Sequence, residues 1–300
     1  MPKFSLNQQA RALFLQQSAE WELARCNFEG LKSVQTKSFH FDDFEVKIQF
    51  NPARIISSGA RTDVQSIASR PCFLCVEHRP YEQQAINLGN FSLLVNPFPI
   101  FPEHFTIALN KHLPQQIRPY FADMLLIAKD LSDYLIFYNG PQCGASAPDH
   151  AHFQAGTKNF LPLVNDYKRL HESHTDLLVS TEKMQLFQFK NYLRTVYCIE
   201  TADVESAQDA FVKLYAHFQT DSTLEPLMNI VCVFENDKWI IFVIPRKAFR
   251  PRQYYAPENQ KLLISPATVE MCGIFITPVE SHFQRITKAD VMDILQQIAF

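Results

Sequence analysis

Apolar positions along the chain change period several times, and each change predicts an element. Ala10, Leu13, Phe14, Trp21 and Ala24 recur at helical spacing, so residues 6–24 read as one amphipathic helix. Val46, Ile48 and Phe50 alternate with Lys47 and Gln49, which makes residues 39–57 strands interrupted by a turn at Asn51-Pro52. Residues 91–110 hold two apolar runs around Asn96-Pro97-Phe98-Pro99, the pattern of a hairpin. Ile117, Phe121, Met124, Leu125, Ala128 and Leu131 mark a helix face, and residues 135–138 a short strand. The second half repeats this order. Residues 184–199 are strand-like, Ala207, Phe211, Leu214 and Phe218 share a helix face, and residues 229–234 and 239–244 flank a turn at 235–237. A capping box at Thr287 and Asp290 opens a last helix.

Composition narrows the class. With 47% apolar and 20% charged residues in 300, a packed core is expected and disorder is not. The net charge of -3 gives no electrostatic basis for non-specific nucleic-acid binding, and the apolar runs are strand-length, so no membrane span is expected. Seven cysteines in a chain of this length do not suggest a disulfide scaffold, and a reduced, cytoplasmic protein is the expectation. Glycine is scarce, seven where roughly 21 would be usual. Three of them, Gly140, Gly144 and Gly156, crowd into one segment and flag it as a place where backbone approaches a ligand.

That segment runs Asn139-Gly140-Pro141-Gln142-Cys143-Gly144-Ala145-Ser146-Ala147-Pro148-Asp149-His150-Ala151-His152-Phe153-Gln154. On an extended strand, His150, His152 and Gln154 would share one face. Glycine N–H groups can meet phosphate oxygens, a neutral imidazole can attack phosphorus, and Gln154 can donate an amide without adding a proton-transfer group. From the residues alone, His-x-His serves a metal site as readily as a nucleophile. Cys72 and Cys75 form a Cys-x-x-Cys knuckle with no second such pair, so any tetrahedral zinc would need two further ligands, typically histidines. Spacing leaves His78 and His104 open as ligands. Thioredoxin-like redox work is the rival reading, without βαβ context to support it.

The segment resembles the active-site strand of the histidine-triad (HIT-like) superfamily, in the transferase branch whose last position is Gln. Phe137-Tyr138-Asn139, Gly144-Ala145-Ser146, Pro148 and His150-x-His152-x-Gln154 are similar to diadenosine tetraphosphate phosphorylases (ATP adenylyltransferases), galactose-1-phosphate uridylyltransferases and GDP-hexose phosphorylases. One departure is Asp149, which stands between Pro148 and His150 where these families carry Pro directly before His. The resemblance implies that His152 is the nucleophile, that Gln154 holds its phosphate, and that Asn139, Gly144 and Ser146 contact phosphate or support the loop. The uridylyltransferase pattern further implies a structural zinc on Cys72, Cys75, His112 and His150. The turns at Asn51-Pro52 and Asn96-Pro97 match the same family, which brings in Arg54 and Asn96 as substrate contacts, although ordinary β-turns also explain them. Arg246, Lys247, Arg250 and Arg252 form a basic run; a solvated face is its default reading, with Arg246 and Lys247 foremost for a phosphate.

The expected fold is α+β, two tandem HIT-like repeats with antiparallel sheets flanked by helices. Residues 1–180 would be the half with the active strand and zinc, and 181–300 the half lacking His-x-His. The expected function is transfer of an NMP group, through a covalent nucleotidyl-histidine, from an NDP-sugar or dinucleoside polyphosphate to phosphate or a sugar phosphate. A hydrolase on the same fold and a non-catalytic zinc-stabilised nucleotide-binding protein are the alternatives. The expected state is a monomeric pseudo-dimer or a homodimer.

Overall fold

The computed structural model describes residues 4–55, 59, 63–220 and 225–300. Among the described residues thirteen strands fall into two sheets: β1 Gln35–Phe41, β2 Phe44–Phe50, β3 Ala85–Leu88, β4 Phe91–Val95, β5 His104–Leu109, β6 Tyr134–Asn139, β7 His152–Thr157, β8 Thr175–Ser180, β9 Met184–Phe189, β10 Tyr197–Thr201, β11 Met228–Glu235, β12 Lys238–Pro245 and β13 Ile274–Thr277. The large sheet has the order β3-β4-β5-β7-β6-β11-β12-β10-β9-β8, and all its pairings are antiparallel. β1-β2-β13 form the small sheet, with β13 parallel to β2.

The tandem repeat is visible in this order. Three strands, a helix and two strands run β3-β4-β5, Phe121–Asp130, β6-β7, and then again β8-β9-β10, Val204–Phe218, β11-β12. In each repeat the last strand is inserted between the third and the fourth, and the two repeats join where β6 pairs with β11. The boundary expected at residue 180 falls just after β8.

Two apolar layers cover the large sheet. On one face Leu93, Phe105, Ile107, Ile136, Phe153, Ile230 and Ile241 pack with the helices Leu6–Glu20, Glu22–Leu31, Phe121–Asp130 and Val204–Phe218. On the other, Phe137, Val231, Phe242 and Ile244 meet the small sheet and the helices Pro162–His174 and Lys288–Ile298. The expected single helix over residues 6–24 is in fact two. Trp21 adopts an extended backbone (φ -91°, ψ 106°) and is buried, because turning the chain there lets a second apolar face, with Ala24 and Phe28, reach the same core. The strand expected to reach residue 57 stops at Phe50. Pro52, which cannot donate to a ladder, opens a 3-10 turn through Arg54, and residues 56 and 57 lie outside those described.

Candidate active site and metal centre

Side chains of β7 alternate as a strand requires. Phe153 and Ala155 enter the helix-covered core, while His152 and Gln154 line a cavity of about 610 Å³. Its far wall comes from residues 265–276 of the second half, and its volume suits a small-molecule ligand. His150 departs from the shared face expected for it. The strand begins at His152, and His150 sits in the preceding turn, its N–H donating to Ala147 O at 3.2 Å, with its ring among the cysteines.

His152 is held in one tautomer. Its Nδ1 lies 2.8 Å from the His150 carbonyl, which can only accept, so the proton resides on Nδ1 and Nε2 keeps its lone pair. Burial pulls its pKa down to about 4, so the ring is neutral at pH 7. Gln154 is oriented by His104, which therefore serves the cavity and not a metal. Ile100 N–H donates to His104 Nδ1 (3.2 Å), so His104 Nε2 carries the proton and donates to Gln154 Oε1 at 3.0 Å. The Gln154 NH₂ is thereby left for the cavity. Burial first, then the Arg54 cation, pulls His104 down to about 3, which keeps this chain of donors neutral.

Where β6 and β7 part, Gln115 spans the gap. Its Oε1 accepts from His152 N–H (2.7 Å) and its Nε2 donates to the carbonyls of Asn139 (2.9 Å) and His152 (3.0 Å). The other expected contacts divide. Arg54 and Asn96 line the cavity. Arg54 is anchored to Phe98 O at 2.7 Å, and Asn96 caps its own turn through Phe98 N–H. Burial lowers the Arg54 pKa to about 10, so it remains cationic. Asn139 and Ser146 also line it, but Asn139 Oδ1 accepts from Thr268 N–H (2.8 Å), Thr268 Oγ1 (2.7 Å) and Asn229 Nδ2 (3.2 Å). That oxygen ties the two halves together and faces no substrate.

The glycines also answer to packing. Gly144 borders the cavity at φ 99°, yet a Cβ there would fall 2.3 Å from Ala267 Cβ; a Cβ on Gly156 would meet the Phe101 ring at 2.5 Å, and one on Gly140 the Met228 carbonyl at 2.9 Å. They admit close packing of protein on protein. Arg246 and Lys247 are corrected. Arg246 is buried away from the cavity, donating to Asn229 Oδ1, Pro266 O, Ala248 O and Phe249 O, and Lys247 reaches Gln296 O. From the same run Arg250 lines the cavity, stacked on Phe249 and Tyr254 and donating to Ser265 Oγ. Arg70 and Glu270 also line it without having been expected; Arg70 merely flanks the cysteine knuckle in sequence, and Glu270 carries no local signal at all.

Cys72, Cys75, His112 and His150 converge, with their ligating atoms within 4.8 Å of one another. Cys72 Sγ is 3.3 Å from His150 Nδ1, and Cys75 Sγ is 3.2 Å from His112 Nδ1 and 3.5 Å from His150 Nδ1. This set fits a tetrahedral soft cation. His150 Nε2–H donates to Leu109 O at 2.7 Å, which turns Nδ1 toward the sulfurs, and burial with the adjoining Cys72 pushes the Cys75 thiol up to about 11 unless a cation offsets the charge. His104 lies elsewhere, at Gln154. His78 faces the Cys72 carbonyl, grouped with Cys75 and Glu77.

A domain of unknown function (DUF4922) matches residues 13–157, and the GDPGP1-like C-terminal domain matches residues 169–300. Galactose-1-phosphate uridylyltransferase of Staphylococcus saprophyticus is 24% identical over 144 residues, 42% of this chain and only 29% of that protein. Protein APA1 of Saccharomyces cerevisiae is 23% identical over 253 residues, 70% of this chain and 69% of its own. Among solved structures, yeast Ap4A phosphorylase Apa2 in complex with Ap4A aligns over 100% of this chain and 99% of its own, with a TM-score of 0.64 at 17% identity. The same enzyme with AMP gives a TM-score of 0.62 over 100% and 98%, again at 17%. The α+β fold with its antiparallel sheets is therefore that of Apa2, and the relatives matched include a galactose-1-phosphate uridylyltransferase and an Ap4A phosphorylase, the kinds of enzyme that the active-site segment resembles. No helix among the described residues is long and apolar enough to cross a membrane.

Proposed function

We propose that this histidine-triad-type chain is a nucleotidyltransferase that carries an NMP group on His152. The observation that carries this reading is the pinned tautomer: Nδ1–H is committed to the His150 carbonyl, so a neutral Nε2 lone pair stands in the cavity beside the Gln154 amide. His152 Nε2 attacks the α-phosphorus of a nucleotide, the bond from phosphorus to the leaving phosphate oxygen breaks, and a nucleotidyl-histidine forms. An oxygen of phosphate or a sugar phosphate then attacks the same phosphorus, and the P–N bond returns its electrons to Nε2. Gln154 donates its amide to a non-bridging oxygen. Arg54, Arg70 and Arg250 supply the positive field a polyphosphate requires, and only one carboxylate, Glu270, lines the cavity among the described residues. Gln154 offers no acid or base for water, so transfer is favoured over hydrolysis. Support from relatives is that yeast Apa2 is an Ap4A phosphorylase, crystallised with Ap4A and with AMP.

In this reading residues 1–180 carry the nucleophile and its amide partner, and residues 181–300 close the cavity with Arg250, Ser265, Ala267 and Glu270. Cys72, Cys75, His112 and His150 would hold zinc, which with four protein ligands supplies structure and no open coordination position. A reducing medium would keep the Cys72 and Cys75 thiols available to the metal.

The test is intact mass after incubation with ATP, UDP-glucose, GDP-hexose and diadenosine tetraphosphate in turn. An NMP-sized adduct that phosphate or a sugar phosphate discharges is expected, and it names the base and the acceptor. Release of NMP to water without acceptor would instead establish a hydrolase, and binding with neither adduct nor turnover a nucleotide-binding protein.

A further inference from the structure

Asp149, the residue by which this chain departs from the family pattern, stands between the metal cluster and the cavity. Its Oδ2 is 3.6 Å from His112 Nε2, the ring atom opposite the one facing Cys75. Its Oδ1 is 3.7 Å from an Arg70 guanidinium nitrogen, and that same nitrogen donates to Ser146 O at 2.7 Å. Arg70 also stacks on Phe73 inside the cysteine knuckle, 5.1 Å from the ring centre. Asp149 Oδ1 and Arg70 Nε are both buried without a hydrogen-bond partner, and the Arg70 guanidinium is the arginine or lysine cation that Asp149 pairs with.

We propose that Asp149 is a positioning residue with two tasks. Its charge, 3.6 Å from Nε2, favours a proton there and so orients His112 as an Nδ1 ligand, and it holds Arg70 where Arg70 grips the Ser146 carbonyl at the cavity edge. Metal-ligating histidines commonly give their second N–H to a carboxylate, which sets ring orientation and strengthens the ligand. Here the same carboxylate also reaches a cation that lines the substrate cavity, so a metal ligand and a substrate loop share one anchor. The extra residue before His150 is thus accounted for by what its side chain joins.

This inference rests on the zinc reading above, and the test separates the two. Zinc is measured in the purified protein, and its affinity by competition with a chromophoric chelator, for wild type, Asp149→Asn and Asp149→Glu. A wild type that takes up no zinc overturns the zinc reading itself. With zinc bound, Asp149→Asn should weaken affinity about 10- to 100-fold, in the range found for carboxylates behind metal-bound histidines, with part of the loss restored in Asp149→Glu. In the cobalt-substituted protein the ligand-field bands should shift in Asp149→Asn while the thiolate charge-transfer band persists, which a general loss of folding would not produce. The second task is read with AMP: Asp149→Asn and Arg70→Gln should each weaken its binding, and the double variant should be no weaker than the worse single one. Zinc affinity in Asp149→Asn within twofold of wild type, or AMP losses that add, would overturn the proposal.

Discussion

The two repeats share a topology and differ in two connections. Between β6 and β7 the first repeat spends residues 140–151, which include Gly144, Ser146, Asp149 and His150; the second joins β11 to β12 through Asn236 and Asp237 alone, both in the left-handed region at φ 53° and 59°. Between the third strand and the helix the first spends residues 110–120, with His112 and Gln115, whereas the second needs only residues 202 and 203. The strand that follows differs accordingly. β7 presents His152 and Gln154 to the cavity, while β12, in the same position of its repeat, is almost wholly apolar and buried. The shared scaffold alone therefore does not build the cavity; long connections of the first repeat, tied by Gln115 and by the cluster of Cys72, Cys75, His112 and His150, shape it around β7, and the second repeat adds Arg250, Ser265, Ala267 and Glu270 to its lining.

The sharpest way to break this contrast is His152→Ala. Adduct formation should vanish and turnover fall by roughly 10⁴-fold or more, as when a nucleophile is removed, while the fold measured by circular dichroism persists. Residual adduct in that variant would move the chemistry elsewhere. A smaller effect should follow Cys72→Ser, or chelation. Zinc content should fall to near zero, and amide exchange should accelerate across residues 110–120 and 140–151 but not in the β11–β12 hairpin. Acceleration spread evenly over both repeats would erase the distinction drawn between them.

Gly144→Ala tests the seam. The new methyl would lie 2.3 Å from Ala267 Cβ and 2.7 Å from its Cα, at a φ of 99° that disfavours any side chain. A loss of roughly 2 to 4 kcal/mol in denaturant unfolding is expected, of which Ala267→Gly should recover only part, because the backbone strain remains. Full recovery would refute the strain component.

Glu225 joins the repeats from the other side and should give the smallest effect. Its carboxylate accepts from Tyr138 OH and Ile117 N–H, and burial pushes it up to about 7. The folded chain therefore keeps a proton that the unfolded chain releases above the ordinary value near 4.5, so stability is highest below that pH and falls as pH rises toward 7. Glu270, raised to about 7 by burial, acts in the same direction. Glu225→Gln should reduce the wild-type decline by on the order of 2 kcal/mol between pH 4.5 and 8. An unchanged slope would remove Glu225 from the account.

Much of this was legible before folding. Period-two and period-3.6 runs located the hairpins, the helix Val204–Phe218 and the capped helix at Thr287, because those elements bury one face each and local pattern suffices. Trp21 was not legible as a break, since its reason is a core reached only after the chain turns. Cysteine spacing and His-x-His marked the right loop through residue types whose chemistry is local. The basic run, by contrast, pointed to Arg246 and Lys247 where Arg250 faces the cavity, because a charge cluster does not say which guanidinium the backbone spends on its own carbonyls.

What the sequence determined by itself was thus the list of reactive groups: two imidazoles, a carboxamide and a thiol pair, set by identity and spacing. Tertiary structure decided their states. His150 and His152 are two residues apart, yet one ring turns to sulfur and the other to an open cavity. The cause is a strand that begins between them and the carbonyl of the first fixing the proton of the second. His104 became the residue that aims Gln154 only because β5 pairs with β7, fifty positions on. The glycines that first drew attention are explained by Ala267, Phe101 and Met228, neighbours no local window contains.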